Sequence, residues 1–117
     1  MELAERNDID RVGLNEATRV VFDEILADNY FRDGIDAYRL AAALAIEAEL
    51  DIEHHSVKRQ NHMYLQSQVD PEQIFSNLIR TKYPQYKNHV YRSLERFADL
   101  GIMLLKERID QTGQIME

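Results

Sequence analysis

Cysteine is absent from this sequence, and glycine and proline are scarce, with four and two residues in 117. Without a thiol there is no thiol catalysis, no cysteine-based zinc site and no disulfide framework, a usage that fits a reducing compartment. The shortage of turn-forming residues favours long helices over many short strands. No apolar run reaches transmembrane length, and the opening MELAERNDIDR is charged, with no apolar core of the signal-peptide kind. A cytoplasmic location without membrane association is the expectation. Also missing are GxGxxG, GxxxxGK(S/T), GxSxG and HExxH, so neither an enzyme activity nor a cofactor is expected. Asp10, Glu24 and Asp28 read as solvated charge and not as a catalytic carboxylate pair.

What is present is an ordinary globular composition, 44% hydrophobic and 30% charged, long enough for one domain with its own core. The net charge of -7 is unevenly spread. Residues 1–53 hold fourteen acids against five bases, whereas residues 54–117 hold seven acids against nine bases and all four histidines. An acidic first half suits a basic partner, and the second half tolerates phosphate.

The chain is organised around residues 35–50, IDAYRLAAALAIEAEL, an alanine-rich stretch that predicts a buried helix approached closely by its neighbours. Residues 1–8 are polar and expected to fray. The alternation of Val12 and Leu14 with Arg11, Gly13 and Asn15 predicts a short strand. Asn15 then caps a helix over 16–30 with Ala17, Val20, Val21, Ile25, Leu26 and Tyr30 on its apolar side. Asn29 or Gly34 suits its C-terminal turn, and Asp33 or Asp36 caps the central helix. Residues 51–68 form a long basic connection with a short strand or turn near Met63 to Leu65. In VDPEQI, Asp70 caps, Pro71 opens a helix, Gln73 completes a capping box, and Val69 and Ile74 are spaced as a hydrophobic staple. Pro84 stops that helix by Tyr83. A last helix runs from Tyr86 or Asn88 to Gln111 on a stripe of Val90, Leu94, Phe97, Ala98, Gly101, Ile102, Leu105 and Ile109. Leu100, Met103 and Leu104 widen the stripe, Gly101 implies close approach of another backbone, and Gly113 ends the helix.

Two constellations carry chemistry. Were residues 51–62 helical, Asp51, His55 and His62 would share a face as an oxygen and nitrogen set for a divalent metal. Histidines seven apart chelate poorly, and surface histidines are the preferred reading. The second constellation is Lys58, Arg59, Arg80, Lys82, Lys87, Arg92 and Arg96, interleaved with Tyr83, Tyr86 and Tyr91. Cations for phosphates and phenol rings for stacking are what a nucleic-acid surface needs. A helix junction with packed tyrosines and solvated cations is the competing reading.

The order of short strand, capped helix, glycine turn at Asp33 and Gly34, and alanine-rich second helix resembles the ribbon-helix-helix family. That likeness implies a strand paired across a homodimer and entering a DNA groove. The outward strand residues here, Arg11, Gly13 and Asn15 beside Asp8 and Asp10, read a groove poorly. With the closing YRSLERFADLGIMLLKERI, the same order resembles the DndE-type small subunits of bacterial DNA sulfur-modification and phage-defence systems, which implies association with DNA. The expectation is therefore an all-α single domain of about four helices with one short N-terminal strand. Its expected role is a non-enzymatic accessory protein that binds a protein partner and forms a homo-oligomer. A DNA-associated regulator using the basic second half is the alternative.

Overall fold

The 3.6-residue apolar stripe of the last third of the chain forms one long helix, and its neighbours are arranged around it. The computed structural model describes residues 8–28, 30–58 and 62–112. In order, its elements are β1 (Arg11–Val12), α1 (Glu16–Ala27), α2 (Gly34–Glu47), β2 (Tyr64–Leu65), α3 (Gln66–Val69), α4 (Ile74–Lys82), a 3-10 turn (Pro84–Tyr86) and α5 (Val90–Thr112). This is an all-α domain with one short two-stranded ribbon. No helix among the described residues is long and apolar enough to cross a membrane.

On α5, Val90, Leu94, Phe97, Ala98, Ile102, Leu105 and Ile109 are buried. Against them α2 sets Ala37, Ala41, Ala42 and Ala45, all inaccessible, together with the buried Leu44 and Ile46. Ala43 and Ala48 face outward. Gly101 lies on the backbone of Ala41, where an added Cβ would overlap that residue's carbonyl oxygen and carbon. Short side chains therefore set the distance between the two helices. Gly34, at the first turn of α2, is likewise covered, here by the Tyr64 hydroxyl.

Several helix ends depart from expectation. Asp8, expected to fray, accepts from the backbone N–H groups of Tyr91 (2.6 Å) and Arg92 (2.9 Å), so its carboxylate satisfies the positive end of α5. Asn15 has N-cap geometry at α1, but its side chain makes no cap bond. That side chain instead donates to Ser56 O and Asp99 Oδ2 and accepts from the Lys58 N–H. Helix α1 ends at Ala27, short of Tyr30, and its buried residues are Thr18, Phe22 and Ile25. Val20 is 56% exposed, because Phe22 takes the core and rotates the helix away from the expected face. Asn29, Arg59 and Gly113 lie outside the described residues, as does most of the N-terminal segment.

Asp33 caps α2, accepting from the Asp36 N–H at 3.2 Å. The helix stops at Glu47 and does not reach Leu50. Glu49 takes a left-handed conformation (φ 56°), with Glu49 N–H bonded to Ile46 O and Leu50 N–H to Ala45 O. These two bonds are a Schellman closure, made here with a glutamate in the place glycine usually fills. The VDPEQI segment is also rearranged. Asp70 reaches past the turn to accept from Phe75 and Ser76 N–H, both at 2.9 Å, and from the Tyr91 hydroxyl at 3.0 Å. Helix α4 starts only at Ile74, after Gln73 in left-handed geometry, and Ile74 is 54% exposed, so neither the box nor the staple forms. The reason is that Asp70 is buried against α5 and the turn must swing α4 round it.

Strand β1 pairs antiparallel with β2 of the same chain, Arg11 opposite Leu65 and Val12 opposite Tyr64. Its other side is also occupied within the chain: Gly13 N–H donates to Glu95 Oε2 and Gly13 O accepts from the Tyr38 hydroxyl, both at 2.9 Å. The ribbon expected to form between two copies is therefore closed within one. The long connection contributes β2 and α3, and its first part is pinned by the buried Ile52 and by His55.

The crossing at Gly101 sets the first test. Gly101→Ala should improve the helix propensity of α5 by ~1 kcal/mol yet lower the stability of the protein by about 2 kcal/mol or more, because the methyl meets backbone that cannot rotate away. Urea unfolding measures it, and a stabilised variant would contradict the packing described.

Candidate functional site

The basic residues proposed for nucleic acid are spread over the connection, α4, the segment after the 3-10 turn, and α5. Lys58, Arg80 and Lys87 are exposed. Arg92 and Arg96, on the first half of α5, are half-buried. Lys82 Nζ stands 3.3 Å from Glu49 Oε2 and 5.9 Å from the centre of the Tyr83 ring. Arg80 donates to Asn77 on its own helix at 3.2 Å.

The tyrosines expected to stack on bases are used inside the fold. Tyr83 packs on Phe97 with ring centres 5.4 Å apart and on Tyr86 at 6.0 Å. Tyr91 is buried and donates to Asp70. Tyr86 donates to Glu53 Oε1 at 2.9 Å.

The proposed metal set does not assemble. Residues 51–62 form no helix among those described, and no group of His, Asp and Glu among the described residues can hold a metal ion. Asp51 accepts from the Glu53 N–H, a local turn bond. His55 Nε2 lies 2.7 Å from Asp99 Oδ2, which also receives the Asn15 side chain, so this histidine pins the connection to α5. His62 lies elsewhere, exposed, lining a shallow depression with Asp8, Asp10 and Arg11.

The arrangement with the most chemical character is a cleft of about 440 Å³ where the segment after α2 faces the 3-10 turn. It is lined by Glu49, Asp51 and Glu53 on one side, by Tyr83 and Tyr86 on the other, and by Phe97 and Lys82. Burial, then the bond to Glu53 and the charges of Glu53 and Asp51, push the Tyr86 phenol up to about 12. The Tyr83 hydroxyl is buried without a hydrogen-bond partner. Aromatic faces beside carboxylates favour a cation and disfavour phosphate.

The signal for this cleft is in the sequence. From Glu47 to Glu53 the chain alternates acid and apolar, EAELDIE, and the structure sends Glu47, Glu49, Asp51 and Glu53 to solvent while Ile52 is buried and Leu50 half-buried. Reading the helix through to Leu50 concealed that alternation. The left-handed Glu49 marks the end of the helical spacing.

The phenol in the cleft gives a pH test. Because the folded state holds the Tyr86 proton more tightly than the unfolded chain does, stability present below pH 10 should fall as pH rises from 10 towards 12. The directions at Tyr64 and Tyr91, both raised by burial, add to this loss. Alkaline unfolding followed beside tyrosinate absorbance should show Tyr86→Phe with a shallower decline than the unmodified protein; identical declines would remove the Tyr86 contribution.

Comparison with known proteins finds no family model that matches the chain and neither a curated protein nor a solved structure that matches it.

Proposed function

We propose that the protein is a non-enzymatic adaptor that binds a protein partner with a basic surface. The observation that carries this reading is how the charged and aromatic side chains are divided. Tyr91 is buried and bonded to Asp70, and Lys82 and Tyr86 pair with Glu49 and Glu53 of the same chain, while the acids of the first half face solvent. On α1, Glu16, Val20 and Glu24 follow one another at four-residue spacing, all exposed, with Asp23 and Asp28 beside them. An apolar residue set among carboxylates suits docking to a basic protein surface, where charge sets encounter and the apolar contact adds affinity.

A cytoplasmic accessory subunit of a DNA-modification or defence assembly, present in more than one copy, fits this reading. Its support is the order of β1, α1 and α2 and the mid-helix glycine of α5, the features that carry the resemblance to DndE-type subunits. The alternative, direct DNA binding, keeps support from the exposed Lys58, Arg80 and Lys87.

Two measurements separate these readings. Fluorescence anisotropy with labelled duplex, nicked and single-stranded DNA should show no steeply salt-dependent affinity, and Arg80→Glu with Lys82→Glu should change nothing. Affinity capture from the native host should recover a protein in stoichiometric amount, with recovery lowered about tenfold by Glu16→Lys, Asp23→Lys and Glu24→Lys together. Salt-sensitive DNA binding abolished by the changes at Arg80 and Lys82 would overturn the adaptor reading in favour of a DNA-associated subunit.

A further inference from the structure

We propose that the cleft between residues 49–53 and the Tyr83–Tyr86 turn takes an arginine side chain from a basic segment of the partner. This rests on the adaptor reading and specifies the chemistry of its partner. A guanidinium is planar and weakly hydrated, stacks on aromatic faces and offers forked donors to carboxylates. The cleft supplies the matching groups, with the half-buried rings of Tyr83 and Tyr86 as walls, Phe97 packed behind Tyr83, and the carboxylates of Glu49, Asp51 and Glu53 in the lining.

A second observation concerns Lys82. The chain already places a cation of its own here: the Lys82 ammonium sits over the Tyr83 ring and against Glu49. Lys82 is more than one-third exposed as a residue and its pairing with the exposed Glu49 is a surface contact, so it is easily displaced. Lys82 is therefore an internal competitor, and an incoming guanidinium replaces a weak intramolecular contact with a planar one.

The test uses the full chain and three labelled peptides of one length, rich in arginine, in lysine and in glutamate, with spermidine as a free polyamine competitor. The arginine peptide should bind, the lysine peptide several-fold more weakly, and the glutamate peptide not at all. Asp51→Asn with Glu53→Gln should weaken arginine-peptide binding about tenfold at unchanged melting temperature, the glutamine preserving an acceptor for Tyr86. Lys82→Ala should tighten it several-fold, and Glu72→Gln, an exposed acid in the turn before α4, should leave it unchanged. Absence of arginine-peptide binding would overturn the proposal. So would equal losses in Glu72→Gln and the cleft variant, or equal displacement by spermidine, since either means diffuse attraction of polycations. Capture of the host partner that survives the cleft variant would sink this inference alone, whereas no captured partner at all would sink the adaptor reading.

Discussion

The contact of Gly101 with the backbone of Ala41 controls the rest of the structure. A helix of 23 residues with a glycine near its middle gives up intrinsic stability of ~1 kcal/mol, and what it gains is a neighbouring helix at backbone distance. Because α2 is lined with alanine at that crossing, its larger side chains, Tyr38, Leu44 and Ile46, fill the space on either side. The Tyr38 hydroxyl then reaches Gly13 O and its ring meets Tyr64 edge-on at 5.4 Å, so the two-stranded ribbon is registered on the helix pair. A wider separation would lose these contacts together.

The second organising feature is the use of carboxylates as internal acceptors. Asp70, Glu95 and Asp99 are each at most 3% exposed; Glu95 and Asp99 accept backbone N–H groups from Gly13 and Asn15 at the far end of the chain, and Asp70 accepts from the first turn of α4 and from the Tyr91 hydroxyl. Hydrogen bonds to a charged group are worth ~1.5–3 kcal/mol apiece, which offsets the cost of removing the carboxylate from water. They also alter what the surface displays. Three of the acids in the second half are hidden while those described in the first half stay outward or half-exposed, so the surface is more sharply divided than the residue counts indicate.

The cleft follows from these constraints. Once α2 closes at the left-handed Glu49, the following residues leave the helix, with Ile52 anchored in the core and the acids turned to solvent. Pro84 ends α4 on the opposite side and sets Tyr83 and Tyr86 at the turn, where Phe97 of α5 backs them. The carboxylates and rings that meet there come from segments more than thirty positions apart, as the bond between Glu53 and Tyr86 shows.

Elements governed by local spacing were legible from residue order. The α5 stripe, the central alanine-rich helix, the stop before Pro84, the cap at Asp33 and the meaning of Gly101 follow from periodicity, proline geometry and helix propensity, all of which act within a few residues. Features that depend on partners far along the chain were not legible. Asn15 has the composition of a local cap but its side chain bonds across the fold to Asp99, and Asp70 caps the first turn of α4 while also taking the Tyr91 hydroxyl, because a buried donor or acceptor forms the bond that tertiary packing brings within reach. The same holds for the candidate site: residues 80–92 have the composition of a nucleic-acid surface, and only the packing of Tyr83 on Phe97 and of Tyr86 on Glu53 assigns those rings to an acidic cleft. Local sequence determined which segments are helices, and tertiary contact decided what their polar side chains do, because periodicity acts along the chain while charge and hydrogen bonding act through space.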